Sequence, residues 1–332
     1  MNLSTLVALR FFAQGVINYF TNRPLVVSFE VTHSCTANCH HCDKGGIRSE
    51  VLATPERYRA IYEEIRPVVA QISGGEPLLR DDVLDIVRAL KNPGDLPYIV
   101  LITNGSLLTP EKFLKLKRAG VDQFGISLDF PDKRHDENRR LPGLYRHLSE
   151  LIPRLSEIGN NDISLITTIT RENLPRLVNI VNRAEEWNVF VNFSAYTKLR
   201  TTDTSFLISS EKDLKLLRET ANKLIELKRK DGRIITSEYV LRRYVEFFEN
   251  GAIPNCQAGK RCFVVNPDGS MFPCAMKRDV RYWSQKELIE KFSKNNDCGK
   301  CYVSMRANTE KSIGQILKDT LSLYGIVKRR KG

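Results

Sequence analysis

Three cysteines in one short segment carry the clearest chemical signal in the sequence. Cys35, Cys39 and Cys42 are separated by three and then by two residues within THSCTANCHHCDKGG. Thiolates this close together suit iron–sulfur clusters and zinc. Three thiolates on a four-iron cluster leave one iron open, where a substrate can bind. The alternative is a zinc site completed by a neighbouring side chain, either His40, His41 or Asp43.

The other five cysteines lie in the last third of the chain, at Cys256, Cys262, Cys274, Cys298 and Cys301. Pro267-Asp268-Gly269 predicts a hairpin turn that folds the flanking segments together. Four of these thiolates are enough for a fully ligated cluster, namely Cys256, Cys274, Cys298 and Cys301. A structural zinc site is the alternative. The remaining Cys262 is expected to be a small buried hydrophobic residue, with ligand exchange or redox activity as alternatives.

The elements that position these cysteines follow from hydrophobic periodicity. From about Pro24, short β-branched runs alternate with helical patterns, which predicts parallel strands joined by right-handed crossovers. We expect strands at Leu25–Val31, Val68–Ser73, Tyr98–Thr103, Gln123–Asp129, Ile163–Thr170 and Val189–Ser194. We expect helices at Thr54–Ile65, Asp82–Lys91, from Thr109, at Leu144–Ile158 and at Pro175–Trp187. Six units predict an α/β fold, a partial (β/α)6 barrel.

The pattern changes after the sixth strand. Helices are expected at Glu211–Lys230, Ser237–Asn250 and Ile313–Val327, and a hairpin at Phe263–Asn266 and Met271–Phe272. The expected domains are an N-terminal helix (1–23), the barrel (24–200), a helical bridge (201–253), a small cysteine-rich hairpin and helix extension (254–305), and a C-terminal helix with a basic tail (306–332).

The N-terminal segment is apolar but interrupted. Asn2, Arg10, Gln14 and Asn18 argue against a signal peptide and against a spanning helix. Apolar residues recur at helical spacing and predict an amphipathic helix. It either packs against the main domain or contacts a membrane surface or a lipid-like substrate. Without an export signal we expect a cytoplasmic protein with reduced thiols, with a peripheral membrane position as the alternative.

The composition excludes a wholly disordered, a collagen-like and a coiled-coil protein, and little else. The 332 residues are 42% hydrophobic and 27% charged, which is typical of a globular protein. The net charge of +12 suits an anionic substrate, a membrane surface or an acidic partner, and identifies none of them.

The cysteine triplet directly after the first strand resembles the signature of the radical S-adenosylmethionine (SAM) enzymes. In that family the residue before the last cysteine is usually aromatic and lies near the adenine, and here it is His41. A second match, SGGEPLLR, ends the second strand and covers Gly74, Gly75, Glu76 and Pro77. In the family this segment holds the amino group of the SAM methionine. Glycines there would let the backbone approach a ligand closely, and ligands bind at that face of parallel β/α folds.

Weaker matches lie on later strand ends. Asn104 follows the third strand, and Ser127 and Asp129 end the fourth, where the family commonly contacts the SAM ribose. Further polar residues follow on the fifth and sixth strands: Thr168, Thr170, Asn192, Ser194 and Tyr196. For each of these, a structural role in a turn or strand end is an equal alternative.

The order of the C-terminal cysteines is similar to that of the extension called SPASM or, in its shorter form, twitch. Because no cysteine follows Cys301, the resemblance favours the shorter form with one auxiliary [4Fe–4S] cluster. It also implies the chemistry. A reduced [4Fe–4S] cluster on Cys35, Cys39 and Cys42 cleaves SAM to methionine and a 5′-deoxyadenosyl radical, which takes hydrogen from the substrate. A flavodoxin or ferredoxin would supply the electron, steered by a basic surface.

The substrate is open. The N-terminal helix favours a small-molecule or lipid-like substrate. A peptide- or protein-modifying maturase is the alternative, disfavoured because the barrel begins near Pro24 and leaves no separate peptide-binding domain. A non-catalytic metal-binding module on RNA or membrane is a second alternative, and no specific nucleic-acid partner is predicted. Beyond the cluster ligands no catalytic residue is assigned, although Tyr196 and Cys262 are candidate hydrogen donors.

Overall fold

The computed structural model of the chain describes residues 5–91 and 96–319. The strands are β1 Val26–Thr32, β2 Val69–Gly74, β3 Tyr98–Thr103, β4 Gln123–Ser127, β5 Ile163–Ile169, β6 Phe190–Ala195, β7 Cys262–Val265 and β8 Met271–Phe272. The helices are α1 Thr5–Thr21, α2 Pro55–Ile65, α3 Val83–Leu90, α4 Pro110–Ala119, α5 Arg134–Arg139, α6 Leu144–Ile158, α7 Leu177–Glu186, α8 Glu211–Asp231, α9 Glu238–Asn250, α10 Gln285–Lys291 and α11 Ser304–Thr309.

The first six strands form a parallel run with helices between them. The full sheet has eight strands in the order β6-β5-β4-β3-β2-β1-β7-β8 and does not close on itself. The predicted partial barrel is therefore confirmed. The hairpin extends the same sheet, because β7 pairs in parallel with β1 and places Cys262 opposite Val26. Strand β8 then pairs with β7 in antiparallel fashion.

Local sequence signals explain where the helices of the barrel begin. The hydroxyl of Thr54 accepts a hydrogen bond from the backbone N–H of Arg57, and Pro55 occupies the first turn of α2. Thr109 caps α4 in the same way. Such caps satisfy backbone donors that the first helical turn leaves free. They fix the turn at which each crossover helix departs from the loop above the sheet.

The core lies between the sheet and its helices. Val27, Phe29 and Val31 of β1 are fully buried, and the ring of Phe29 packs edge-on against Tyr58 of α2 at 6.0 Å. The alternate residues of β1, Ser28 and Glu30, must then point to the opposite face, because side chains alternate along a strand. That face is the inside of the barrel. The side chain of Ser28 bonds there to Ser73 of β2 at 2.7 Å.

The open side of the barrel is covered by the segment that follows the last cysteine pair. The backbone N–H of Ser304 donates to the hydroxyl of Ser194 in β6 at 3.0 Å. The hydroxyl of Thr197 donates to the carbonyl of Lys300 at 3.3 Å. The C-terminal cysteines therefore lie beside the mouth of the barrel.

Helix α1 is anchored at its C-terminal end. The side chain of Asn18 is buried and donates to the carbonyls of Pro24 and Arg66 at 2.7 and 2.9 Å. Ile17 and Phe20 are exposed. Among the described residues, no helix is both long and apolar enough to cross a membrane. Residues 313–319 are helical as expected, and the remainder of that predicted helix and the basic tail lie outside the described residues.

Candidate active site

The three cysteines of the first group lie on the loop that leaves the carboxyl end of β1. A hydrogen bond closes the loop on itself, because Cys35 donates its N–H to the carbonyl of Gly46 at 2.9 Å. It is also held by helix α5, since the N–H groups of Asn38 and His40 donate to the carbonyls of Arg139 and Asn138, both at 3.1 Å. The thiols are close enough that negative charge on Cys42 would raise the pKa of Cys35 and of Cys39.

Each of the three sulfurs faces a side-chain N–H donor from a different part of the barrel. Asn104 Nδ2, after β3, lies 3.8 Å from the sulfur of Cys35. Arg139 Nη1, on α5, lies 3.7 Å from that of Cys39. Arg200 Nη1, after β6, lies 3.6 Å from that of Cys42. Hydrogen bonds to sulfur and nearby positive charge stabilise thiolates, which are the form that binds iron.

Burial favours the neutral form of two of these thiols, and it raises the pKa of Cys35. It raises the pKa of Cys39 to about 11, although the Arg139 guanidinium opposes this shift. Metal coordination deprotonates a thiol outright. The arginine then faces the charge that ligation creates, so the donor set fits a thiolate-bound cluster.

The Gly-Gly-Glu segment lies beside the cysteine loop, and its two glycines pack closely against the backbone at the start of that loop. A Cβ on Gly75 would stand 2.0 Å from the carbonyl oxygen of Ser34, and one on Gly74 would stand 2.1 Å from that of Thr32. Gly74 also has a φ of +138°. The glycines thus allow the end of β2 to approach the start of the cysteine loop.

Glu76 is fully buried and bonded within the protein. Its carboxylate accepts from the Thr103 hydroxyl at 2.7 Å, and from the backbone N–H groups of Asn104 at 2.8 Å and Leu78 at 3.1 Å. Burial raises the pKa of Glu76, against these hydrogen bonds. Pro77 begins the short 3-10 turn Pro77–Leu79 that follows. Through Asn104, whose amide faces Cys35, the Glu76 carboxylate positions one of the sulfur donors.

Asp129 is the centre of a second buried network. Although burial alone would raise its pKa, Arg139, His41 and His135 hold it at about 2. Arg139 pairs with its carboxylate at 2.6 Å, and His41 Nε2 lies 3.9 Å from it. Burial lowers the pKa of His41 to about 4, so the ring is neutral. The structure thus brings His41 and Asp129 together beside Cys39.

The remaining predicted residues are placed as follows. Ser127 is buried at the end of β4. The backbone N–H of Thr168 donates to Asp129 at 3.0 Å, and the backbone N–H of Thr170 donates to Asn173 at 2.9 Å. On β6 and after it, Asn192, Ser194 and Tyr196 bond to Thr236, Ser304 and the carbonyl of Asp203, respectively.

The barrel with this cysteine loop matches a known family model. Residues 29–184 match the model described as the Radical SAM superfamily. The chain therefore contains a radical SAM domain over these residues. Members of this superfamily are enzymes that use a [4Fe–4S] cluster and SAM.

Similar proteins include two curated relatives and one solved structure. An AdoMet-dependent heme synthase from Methanosarcina barkeri is 34% identical over 173 residues, which are 50% of this chain and 48% of that protein. A probable GTP 3′,8-cyclase from Sulfurisphaera tokodaii is 28% identical over 269 residues, 75% of this chain and 80% of that protein. SuiB from Streptococcus suis, bound to the precursor peptide SuiA, superposes with a TM-score of 0.64 and 14% identity, covering 92% of this chain and 76% of SuiB. The chain spans about half the length of the heme synthases it matches.

The second cysteine group of this radical SAM protein is brought together by hydrogen bonds between its segments. Ile253 donates its N–H to the carbonyl of Gly299 at 2.9 Å, and Asn296 Nδ2 donates to the carbonyl of Cys256 at 2.8 Å. Charge on Cys256 and Cys298 would raise the pKa of Cys274, and burial raises the pKa of Cys256 and of Cys301 to about 11. The four predicted thiols are therefore neighbours.

Cys262 is buried within β7, with 2% of its surface exposed. Burial raises its pKa well above the ordinary range of a thiol. Its position in the sheet agrees with the expected hydrophobic role, although it lies near Cys256 and Cys274.

In residues 5–91 and 96–319, no three His, Cys, Asp or Glu side chains are grouped so as to hold one metal ion. Each cysteine of a four-iron cluster binds its own iron, so a cluster does not require such a group.

Three basic residues of the site were not identified from the sequence: Lys44, Arg139 and Arg200. Arg139 and Arg200 reach sulfurs that lie 100 and 158 positions away in the chain. Arg139 is part of HDENRR on the short helix α5, which was not predicted. The run of charged residues in this segment, shortly after the fourth strand, is a signal that could have drawn attention to it.

Proposed function

We propose that this chain reductively cleaves SAM at a [4Fe–4S] cluster held by Cys35, Cys39 and Cys42. When bound, the cluster and SAM supply a 5′-deoxyadenosyl radical that abstracts hydrogen from a carbon of the substrate. The chain's own residues orient these groups and exclude water from them. His41, Asn104, Ser127 and Asp129, together with the Gly74–Pro77 segment, are proposed to line the SAM site.

The observation that carries this proposal is the set of three donors on three sulfurs. Asn104, Arg139 and Arg200 come from the separate segments that follow β3, β4 and β6, yet each faces one cysteine of the triplet. A disulfide pair or an inert buried thiol does not need charged donors. A thiolate-ligated cluster at the carboxyl face of a parallel sheet does benefit from them, since they offset its negative charge.

The test is anaerobic reconstitution followed by reduction with dithionite. We expect release of 5′-deoxyadenosine from SAM, and its loss in the variant Cys35→Ala. Cys262→Ala is the matched control, because this thiol belongs to neither proposed cluster, and it should release 5′-deoxyadenosine normally. Normal SAM cleavage by Cys35→Ala would contradict the proposal.

We further propose an auxiliary [4Fe–4S] cluster on Cys256, Cys274, Cys298 and Cys301, in an extension of residues 254–305. The four thiols are neighbours beside the open side of the barrel, which supports a group close to the substrate. Two four-iron clusters require about eight irons per chain. Changing all four cysteines to alanine should leave about four irons, whereas Cys262→Ala should leave the iron content unchanged. Zinc at this site would refute the auxiliary cluster.

The proposed substrate is a small molecule or a lipid-like molecule. The sequence relatives named above are a heme synthase and a GTP cyclase, whose names describe small-molecule chemistry. The exposed Phe20 and Ile17 on α1 support contact with a lipid-like molecule or a membrane surface. Modification of a peptide is the second candidate, because SuiB is bound to a precursor peptide and matches 92% of this chain. Product analysis with a co-encoded short peptide separates the two.

The proposed electron donor is a flavodoxin or a ferredoxin. The chain carries a net charge of +12, and such donors are small and acidic, so steering favours the encounter. The rate of cluster reduction by flavodoxin should then fall steeply as salt is raised, because steering is screened.

A further inference from the structure

Three basic side chains from separate segments converge on one buried carboxylate beside Cys42. Lys44 follows the cysteine triplet, Arg200 follows β6, and Arg278 follows β8. All three hold the pKa of Glu30 well below its usual range, against the effect of burial. Strands β1 and β6 lie at opposite ends of the parallel run. Their loops therefore meet only across the mouth of the barrel.

Three carboxylates face these cations, namely Glu30, Asp43 and Glu50. Glu30 accepts from Lys44, from Arg278 Nη2 at 2.8 Å and lies 3.0 Å from His33 Nε2. Asp43 is 3.4 Å from Arg200 Nε, but one third of its side chain is exposed to solvent. Glu50 also faces this region, and it is bonded to the Thr32 hydroxyl and the backbone of His33. Lys44 and Arg278 thus share the buried Glu30 carboxylate, whereas Arg200 faces Asp43 and the sulfur of Cys42.

Two of the three cations keep unused donors. The side chain of Lys44 is 2% exposed, and in the described part of the chain its ammonium has one hydrogen-bond acceptor, Glu30. An ammonium has three N–H groups. Arg200 spends Nη1 on the sulfur of Cys42 at 3.6 Å, while its Nε and Nη2 have no hydrogen bond among the described residues. Arg278, by contrast, spends its donors on Glu30, on His33 and on the carbonyl of Ala275.

We infer that Lys44 and Arg200 bind an oxyanion of the substrate, a carboxylate or a phosphate, directly beside Cys42. Arginine and lysine are the side chains that recognise these groups. The N–H groups that Lys44 and Arg200 leave unused are the donors from which such an anion would accept. This inference rests on the proposed function and specifies its substrate class.

The experiment titrates small anions into the reconstituted, SAM-loaded protein by calorimetry at low salt. Succinate and inorganic phosphate are the two probes, and the tighter one identifies the oxyanion. We expect saturable binding that weakens at least tenfold in Arg200→Gln and in Lys44→Met. Arg200→Lys keeps the charge and should retain part of the affinity. Arg229→Gln is the matched control, since Arg229 on α8 pairs at the surface with Glu238 on α9, away from this site, and it should bind as the wild type does.

The outcomes separate the inference from the proposed function. Equal binding by wild type and Arg200→Gln, or no saturable binding of either anion, would overturn the inference while 5′-deoxyadenosine release still supports SAM cleavage. The basic residues would then serve only to offset the charge of the cluster thiolates. Absence of 5′-deoxyadenosine in the wild type would overturn the proposed function and the inference with it. Circular dichroism of Arg200→Gln and Arg200→Lys verifies that both variants are folded.

Discussion

Replacing Arg306 with methionine should loosen the segments that carry the second cysteine group. Its side chain is 3% exposed and lies between these segments. It donates to the carbonyls of Cys301, Ile253 and Pro254, the last two at 2.6 and 3.1 Å, and it pairs with Glu310 at 2.6 Å. One guanidinium thus forms hydrogen bonds both to the segment before Cys256 and to the Cys298–Cys301 pair.

The loss of stability on removing the Arg306 guanidinium follows from the carbonyls and the carboxylate that lose their donor. Each buried carbonyl without a donor costs about 1–3 kcal/mol, and a buried carboxylate without its partner costs about 3–5 kcal/mol. These costs overlap, because water can reach Pro254 and Glu310 after the change, so we take about 4 kcal/mol in total. Unfolding entropy is about 2.1 cal/mol/K per residue. For 332 residues this gives about 0.7 kcal/mol/K, hence a fall in Tm of about 6 °C.

Differential scanning calorimetry of the reconstituted protein measures this shift, and iron analysis accompanies it. Arg306→Met should also lose the iron of the auxiliary cluster and keep that of the cysteine triplet. Arg229→Met is the matched control, because this exposed arginine on α8 touches neither cysteine group. A change in Tm below about 1 °C in Arg306→Met, with full iron content, would refute the structural role given to Arg306.

Two further predictions concern the barrel. Gly75→Ala should abolish iron at the cysteine triplet, because the new Cβ would stand 2.0 Å from the carbonyl oxygen of Ser34, whereas Gly15→Ala, with open space around it, should keep full iron. Burial lowers the pKa of His135 to about 3, so the unfolded chain takes up a proton first and stability falls as the pH drops below about 6.5. Between pH 7.5 and 5 this amounts to about 2 kcal/mol, which His135→Asn should remove in urea unfolding, and an unchanged pH dependence would contradict it.

The sequence predicted the barrel well because each unit carries its own signals. Thr54 and Thr109 cap their helices as expected, and all six parallel strands lie within two residues of the predicted positions. These features depend on neighbours in the chain. The hairpin turn at Gly269 was equally local and correctly predicted. Its pairing with β1 was not predicted, because Val26 and Cys262 contain no signal that specifies which strand edge they share.

The need for glycine at positions 74 and 75 has a second physical reason that the sequence did not reveal. Close approach of this backbone to a ligand stays a prediction, and the structure adds its close approach to the backbone of Thr32 and Ser34. A glycine requirement is visible in a sequence, but the atom that would collide with a side chain is not. The same holds for Glu76, whose carboxylate bonds within the protein.

The basic residues show the limit of sequence reasoning most clearly. The net charge of +12 summed over the chain distinguished no partner, because it counts exposed and buried charges alike. Arg200 matters because it approaches Cys42 from 158 positions away, and Lys44 because it is buried against Glu30. Moving a charge out of water is costly unless an opposite charge compensates it. Lys44 and Arg200 keep N–H donors that no acceptor among the described residues takes up, and we infer that these donors bind an oxyanion of the substrate beside Cys42.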